Sequence, residues 1–217
     1  MRTLLLVTCL CLATSPLWGK IVFNSNRDGN WEIFTMDSDG TNQTRLTFND
    51  VVDGQPAWSP NGRQIVFHSY HDDTGGIYVM DADGTNQRRL THSFTDEAPS
   101  WSPEGNQIAF QRWKDDDQDH IYNIFVMNAD GGNVKQVTDF WGAGPPKWSP
   151  DGQWILFAGS ELHPIGPDGA ETGDIFAIRP DGTDLWQVTE TIPDTWRLLG
   201  GWSPMENRFC MKRRQMI

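Results

Sequence analysis

Cysteine is nearly missing from the part of this chain that can fold. Cys9 and Cys11 sit in an apolar N-terminal stretch and Cys210 lies near the C-terminal end, so residues 20–204 hold none. A disulfide framework is therefore excluded. Cations are scarce too: 17 Lys and Arg stand against 29 Asp and Glu, a net charge of −12. Residues 20–204 are more acidic still, with 12 basic and 28 acidic side chains and a net charge of −16. Nucleic acids and anionic membrane surfaces call for clustered Lys and Arg, so neither is a partner. The apolar run Leu4–Ala13 has ten residues, too few for a bilayer that needs ~20. No integral membrane segment is expected once this leader is removed. No stretch keeps a 3.6-residue apolar period, so helices are not expected. There is no Gly-x-Ser-x-Gly elbow and no His-Glu-x-x-His pair. The expectation is no catalytic residue, no metal ligand and no cofactor.

What the chain has is repetition. Its 217 residues include 11 Trp, 21 Gly and 13 Pro, enough bulk for a core and many turn formers. Trp-Ser-Pro recurs at positions 58, 101, 148 and 202. An apolar triplet ending in Phe recurs at Ile21-Val22-Phe23, Ile65-Val66-Phe67, Ile108-Ala109-Phe110 and Ile155-Leu156-Phe157. Asp-Gly, once with an extra Gly, recurs at 39, 83, 130 and 181, and Leu-Thr or Val-Thr at 46, 90, 137 and 188. Each apolar element is a short β-prone run. The Asn-Gly and Asp-Gly pairs between them are tight-turn chemistry. Four strands per unit at a period of 43 to 54 residues mark the blade of a β-propeller. The fold class is all-β, built of four-stranded antiparallel blades in about four repeats.

Within a blade we name the strands a (Trp-Ser), b (Ile-Val-Phe), c (Ile-Phe-x-Met) and d (Leu-Thr). The a–b and c–d connections have constant length in every complete copy, while the b–c and d–a connections vary. In an antiparallel meander these two sets lie at opposite ends, and repeat folds tend to bind on the end that varies. The candidate ligand face is therefore the b–c and d–a end. From the b–c connections it takes His68, Arg112 and Trp113. From the d–a connections it takes Asp53, Asp96, Glu97, Trp141, Trp196 and Arg197. An acidic face dotted with aromatics suits a basic peptide, a cation or a sugar, so a protein, peptide or glycan ligand is expected.

Two acidic motifs invite a metal reading. Asp37-x-Asp39-Gly40 and its copies resemble the start of a calcium loop, but the later bidentate Glu is missing and the spacing to strand d is constant. A tight c–d turn explains them. Asp115-Asp116-Asp117 reads as a solvated loop within Gln111–His120, the third b–c connection. His68 and His71 fall on opposite faces of a strand and cannot share a metal. The recurrent Trp is read as blade-to-blade packing.

Residues 56–67, followed by Ile77-Tyr78-Val79-Met80-Asp81-Ala82-Asp83-Gly84 and Arg88-Arg89-Leu90-Thr91, closely resemble the β-propeller repeat of the TolB family. The resemblance spans residues 20–204 in four copies. It implies a propeller of about six blades in the parent protein and a periplasmic protein-binding role beside outer-membrane lipoproteins. The family's α/β domain ahead of the propeller has no counterpart here, because strand b begins at Lys20. Similar repeats occur in prolyl oligopeptidase-like enzymes and oligogalacturonate lyases, so fold alone leaves function open.

Both ends depart from the repeat. Met1-Arg2, the apolar run and the small residues near Ala13 and Gly19 read as a secretory signal peptide over residues 1–19, which places the chain in the periplasm or outside the cell. After Trp202-Ser203-Pro204, the repeat calls for Asp-Gly and an apolar strand, yet residues 205–217 form a basic tail. One codon set for that tail, read two nucleotides later, encodes GKQILYEAETDD; restoring one lost G puts Asp before it. That is the missing turn and strand b. We therefore read 205–217 as out of frame and 20–204 as an incomplete arc of a larger propeller. The other architecture is a four-bladed ring closed by strand a near residue 202. The functional expectation is an exported, non-enzymatic propeller that binds its ligand through the variable face. The alternatives are the propeller part of a hydrolase or polysaccharide lyase whose catalytic part is missing, or a truncated product without function. Resequencing the gene across codon 204 checks the frame: a single-nucleotide deletion followed by further propeller repeats is expected, and an intact frame without them refutes it.

Overall fold

The computed structural model describes residues 19–71, 75–116, 119–160, 173–190 and 202. Among these every regular element is a strand, apart from one short turn of tight helix at His71. The first unit has three strands, β1 (Ile21–Ser25), β2 (Glu32–Met36) and β3 (Thr44–Arg45). The second has four, β4 (Asp53–Trp58), β5 (Gln64–Ser69), β6 (Gly76–Asp81) and β7 (Arg88–Arg89). The third repeats this with β8 (Asp96–Trp101), β9 (Gln107–Asp116), β10 (Asp119–Asn128) and β11 (Lys135–Gln136). In the fourth, strand a is split into β12 (Gly142–Ala143) and β13 (Lys147–Trp148), followed by β14 (Ile155–Ser160), β15 (Asp174–Ile178) and β16 (Trp186–Gln187). Pro145-Pro146 separates the two halves, since proline offers no ladder donor. Neighbouring strands within a unit pair antiparallel, as blades do.

The recurrent residues each close a backbone account. Strand d is two residues long, and the Leu-Thr that follows it finishes the ladder. The amides of Leu46, Leu90, Val137 and Val188 donate to the carbonyls of Ile33, Ile77, Ile124 and Ile175. The amides of those same Ile residues donate to the hydroxyls of Thr47, Thr91, Thr138 and Thr189 at 2.8 to 3.0 Å. A side-chain oxygen thus stands where a strand carbonyl would otherwise be required. The Ser of Trp-Ser-Pro acts likewise in the a–b turn. The hydroxyls of Ser59, Ser102 and Ser149 accept the amides of Gln64, Gln107 and Trp154 at 2.9 to 3.1 Å.

The Asp-Gly turns are filled from within. Asp39 accepts the Thr41 amide at 2.9 Å and the Thr41 hydroxyl at 2.7 Å, and Asp83 and Asp181 repeat both bonds. These bonds hold the three carboxyls below the usual aspartate range. The following Gly has positive φ, and Gly84, Gly131 and Gly182 also lie against the preceding blade. A Cβ on Gly84 or Gly131 would come within 2.8 Å of the Leu46 carbonyl or 2.9 Å of the Leu90 carbonyl. Glycine is needed there for conformation and for clearance.

The core lies between blades. Val66, Ile77, Val79 and Leu90 of the second blade bury against Trp101, Ile108, Phe110 and Met127 of the third. Ile65 and Phe67 bury against Ile33 and Leu46 of the first unit. Phe140, Phe157 and Phe176 form a ring cluster in the fourth blade, with centroids 4.9 to 5.7 Å apart. Two of the Trp-Ser-Pro tryptophans join strand a to strand a: Trp148 Nε1 donates to the Ser100 carbonyl at 3.0 Å, and Trp202 Nε1 to the Lys147 carbonyl at 3.2 Å, whereas the indole N–H groups of Trp58 and Trp101 are buried without a partner.

The arc is open at its first unit. Among the described residues β1 pairs only with β2. Ile21 is 40% exposed, whereas Ile65, Ile108 and Ile155 at the same repeat position are 0% exposed beneath strand a. Gly40 has open space where Gly84 meets a neighbouring blade. One expectation is corrected here. Residues 111–116 and 119–120 are not loop but strand, because β9 and β10 stay in register up to Asp116↔Asp119. The third blade therefore projects as a long hairpin, and Tyr122 on it bridges to Gly142 of the fourth blade.

Thr138 accepts the Ile124 amide and donates to Asn123 Oδ1 at 2.9 Å, both within the buried core. Thr138→Val keeps the shape, orphans the Ile124 amide and takes one of two donors from Asn123 Oδ1, which still accepts the Phe140 amide at 2.8 Å. It is expected to lower unfolding free energy by about 1–3 kcal/mol, read by denaturant melts against the wild type.

Candidate functional site

The b–c and d–a end gathers the unusual chemistry at the junction of the second and third blades. Strand a carries a β-bulge in each, between Gly54 and Ala57 in β4 and between Glu97 and Ser100 in β8. At these bulges Gln55 (φ 47°) and Ala98 (φ 50°) adopt left-handed conformations, although each precedes a proline. Such backbone is costly for residues with a Cβ and clusters at functional sites. The bulges are stitched together across the blades. Gln55 Oε1 accepts the Ala98 amide at 2.7 Å and also contacts His68 Nδ1 at 3.0 Å.

His68 is buried, and burial pushes its pKa down; the nearby Glu97 charge opposes that shift only in part. The ring fits because residue 54 is glycine: a Cβ there would come within 2.7 Å of His68 Cε1. Tyr70 lies 5.1 Å from the imidazole, centroid to centroid, and its hydroxyl donates to Glu97 Oε1. Burial, and then Glu97, push the Tyr70 phenol well above its usual value. Tyr122 is raised in the same way. Beyond them Phe94 packs edge-on against Trp113 at 5.3 Å.

The expected site residues divide into four groups. His68, Glu97 and Trp113 meet at this mouth. Arg112 and Asp96 stand beside it as a structural pair: Asp96 is fully buried and takes two guanidinium bonds, at 2.5 and 2.9 Å. Arg112 also covers the Phe125 ring at 4.5 Å. Asp53 is buried toward the first unit, and Trp141 sits partly buried at the start of the fourth blade. Trp196 and Arg197 lie outside the described residues. Gln55, Tyr70, Tyr122 and Phe94 complete the mouth and were not anticipated. Gln55 and Tyr70 do carry a signal, a polar residue before Pro56 and a tyrosine two places after His68. Nothing local to the sequence says that they converge.

Exposure separates the two ends of the arc. Among the described residues, the large aromatics left in solvent, Trp31 (42%), Phe48 (74%) and Phe94 (48%), all lie on the variable end. Val134 and Leu185, the exposed aliphatics of the c–d turns, lie at the other. Among the described residues no helix is long and apolar enough to cross a membrane, and no group of three His, Cys, Asp or Glu is placed to hold a metal ion.

Repeated four-stranded blades packed face to face define a β-propeller. The PD40 family, the TolB beta propeller domain, matches residues 9–124. The chain belongs to that family. The Tol-Pal system protein TolB of Geobacter sulfurreducens is 52% identical over 48 residues, which are 22% of this chain and 11% of that protein. The putative TolB from Agrobacterium tumefaciens superposes with a TM-score of 0.66 at 23% identity, covering 79% of this chain and 61% of that one. An oligogalacturonate lyase in complex with manganese superposes at 0.58 and 14% identity, over 79% of this chain and 49% of that one. These structural likenesses show the fold. The chain spans less than two thirds of each of these three proteins.

Asp53 marks how tightly the neighbouring junction is closed. Its Oδ2 accepts from Asn49 Nδ2 at 2.8 Å, while Oδ1 and the Ser69 hydroxyl across the strand pair are buried without a hydrogen bond. Burial, which outweighs the opposing hydrogen bonds, raises the Asp53 carboxyl above the usual range. A raised native pKa stabilises the fold below the unfolded value, and that contribution is lost as pH rises through the native one. Asp53→Asn is therefore expected to melt higher than wild type at pH 7, by about 1 kcal/mol. The two thermal melts should converge below pH ~4.

Proposed function

We propose that this chain is an exported, non-enzymatic binding module that engages a protein or peptide through the b–c and d–a end of its blades. The observation that carries this reading is the one-sided exposure of Trp31, Phe48 and Phe94. Large aromatics on loops give contact area at low entropic cost and are enriched where partners dock. The constant end is occupied with its own bonds instead. Arg88 donates to the Asp130 carbonyl and Lys135 to the Asp181 carbonyl, each stapling one blade to the next. Membership of the TolB propeller family supports a protein partner, and the leader at residues 1–19 supports export to the periplasm or beyond.

The reading is tested by photocrosslinking from single positions of the full chain in cells. A benzoylphenylalanine at Phe48 or Phe94 is expected to trap one partner protein in the exported fraction. The same group at Val134 or Leu185 should trap none. Identical adducts from both ends, or adducts only in the cytoplasm, would overturn the assignment.

A further inference from the structure

The staples that join one blade to the next at the constant end have one exception. Residues 44, 88 and 135 hold the same place, the first residue of strand d. Arg88 reaches the next c–d turn, where Nη1 donates to the Asp130 carbonyl at 3.3 Å and Nη2 to the Ala129 carbonyl at 3.4 Å. Lys135 Nζ donates to the Asp181 carbonyl in the same way. At the first junction the residue is Thr44, too short to cross, and its hydroxyl donates to the Asn42 carbonyl at 3.2 Å instead. The turn that it faces is built like its copy. The Gly84 amide donates to the Asp81 carbonyl and the Ala82 amide to the Arg63 carbonyl, as Gly131 does to Asn128 and Ala129 to Asn106. The Ala82 and Asp83 carbonyls are thus presented as those of Ala129 and Asp130 are, and among the described residues no group donates to them. The space before them is open. A groove of about 730 Å³ is lined there by Lys20, Thr44, Leu46, Trp58, Ala82 and Asp83. Between the third and fourth blades the corresponding groove, with Gln107, Lys135, Pro180 and Asp181 at the same repeat positions, measures about 430 Å³.

We propose that the groove between the first unit and the second blade binds an Arg or Lys side chain of a partner protein, seated as Arg88 is at the next junction, with its N–H groups on the Ala82 and Asp83 carbonyls. The chain itself fills this seat with a cationic side chain at both later junctions. Two unengaged carbonyls select a group with several donors and no acceptor, which describes guanidinium and ammonium. The aliphatic stem of such a residue lies along Leu46 and Trp58. Lys20 stands at the same groove, and the Asp83 carboxylate, kept ionised by its two bonds from Thr85, offsets that charge. The acidic middle of the chain, at −16 over residues 20–204, draws a basic segment toward it. The groove lies at the end opposite the exposed aromatics, and apart from Val134 and Leu185, which belong to the third and fourth blades. It is a second site, independent of the face proposed above.

The test selects short peptides from a displayed random library on the immobilised full chain, after depletion on Thr44→Arg, which carries its own staple. Melting curves confirm that the variant is folded, and Thr44→Lys, which copies the third blade, is expected to deplete the same peptides. The enriched peptides should share an Arg or Lys at one position. Replacing that residue by norleucine should weaken binding to the wild type about tenfold, whereas Phe94→Ser at the other end should leave it unchanged. The peptide substitution reads the contact without touching the fold. Peptides with no basic position, norleucine peptides that bind as tightly, or no enrichment after depletion each overturn the assignment. Peptides weakened by Phe94→Ser place the contact on the variable end and overturn it as well. The variable end is judged separately, by its own crosslinks at Phe48 and Phe94.

Discussion

A single blade is a thin sheet with two apolar faces and no interior of its own, so the structure depends on each blade burying those faces against its neighbours. Ile65, Ile108 and Ile155 are fully buried because the next element always arrives to cover them. Burial at roughly 25 cal/mol per Å² is gained only when the repeats stack, which makes the stability of any blade a property of the array. Ile21 and Gly40 show the converse. They occupy equivalent repeat positions, yet no blade lies beyond them among the described residues, and solvent takes its place.

Stacking at close range imposes a second demand, that polar groups at blade edges be satisfied locally. At the constant end the turn side chains are, although the indole N–H groups of Trp58 and Trp101 beside the a–b turns are buried without a partner. Thr41, Thr85 and Thr183 satisfy their turn aspartates, and Ser59, Ser102 and Ser149 close the a–b turns. Deep in the sheets the threonines after strand d replace absent carbonyls. At the variable end the same economy is broken. Gln55 and Ala98 are held in left-handed backbone, Glu97 keeps one oxygen unengaged, and Asp53 is buried with an oxygen unpaired. Local rules tend to be violated where function is carried, and here the strained bulges at Gln55 and Ala98 share one end with the exposed aromatics.

The charged pairs follow the same division. Arg45 with Glu32 and Arg112 with Asp96 each place a buried carboxylate under a half-buried guanidinium. Removing one partner of such a pair would strand a charge, so these pairs hold strand c or strand a in position and leave little freedom for a ligand. Glu97, one residue from Asp96, has no such cation. The difference arises from strand alternation: Asp96 pairs across from Arg112, while Glu97 pairs across from Gln111.

The repeat was legible in sequence because it is dictated by short-range chemistry. A turn needing positive φ selects Gly after Asp, a two-residue strand needing a substitute acceptor selects Thr, and alternation selects the Ile-x-Phe faces. These signals by themselves determined the blade, the strand order within it and which end varies. Three things were decided only by tertiary structure. Asp53 and Asp96 looked like ligand groups but are buried, Asp96 under the Arg112 guanidinium of its own blade and Asp53 beside Asn49 of the connection before it, and no local pattern reveals that burial. The acidic stretch of 111–120 looked like a loop, yet hairpin pairing carries β9 and β10 through it. Gln55, His68, Tyr70 and Glu97 come from three strands of two blades and lie up to 42 positions apart. They meet because strands a and b of adjacent blades converge at the mouth, and convergence in space is set by packing, which a linear pattern does not encode.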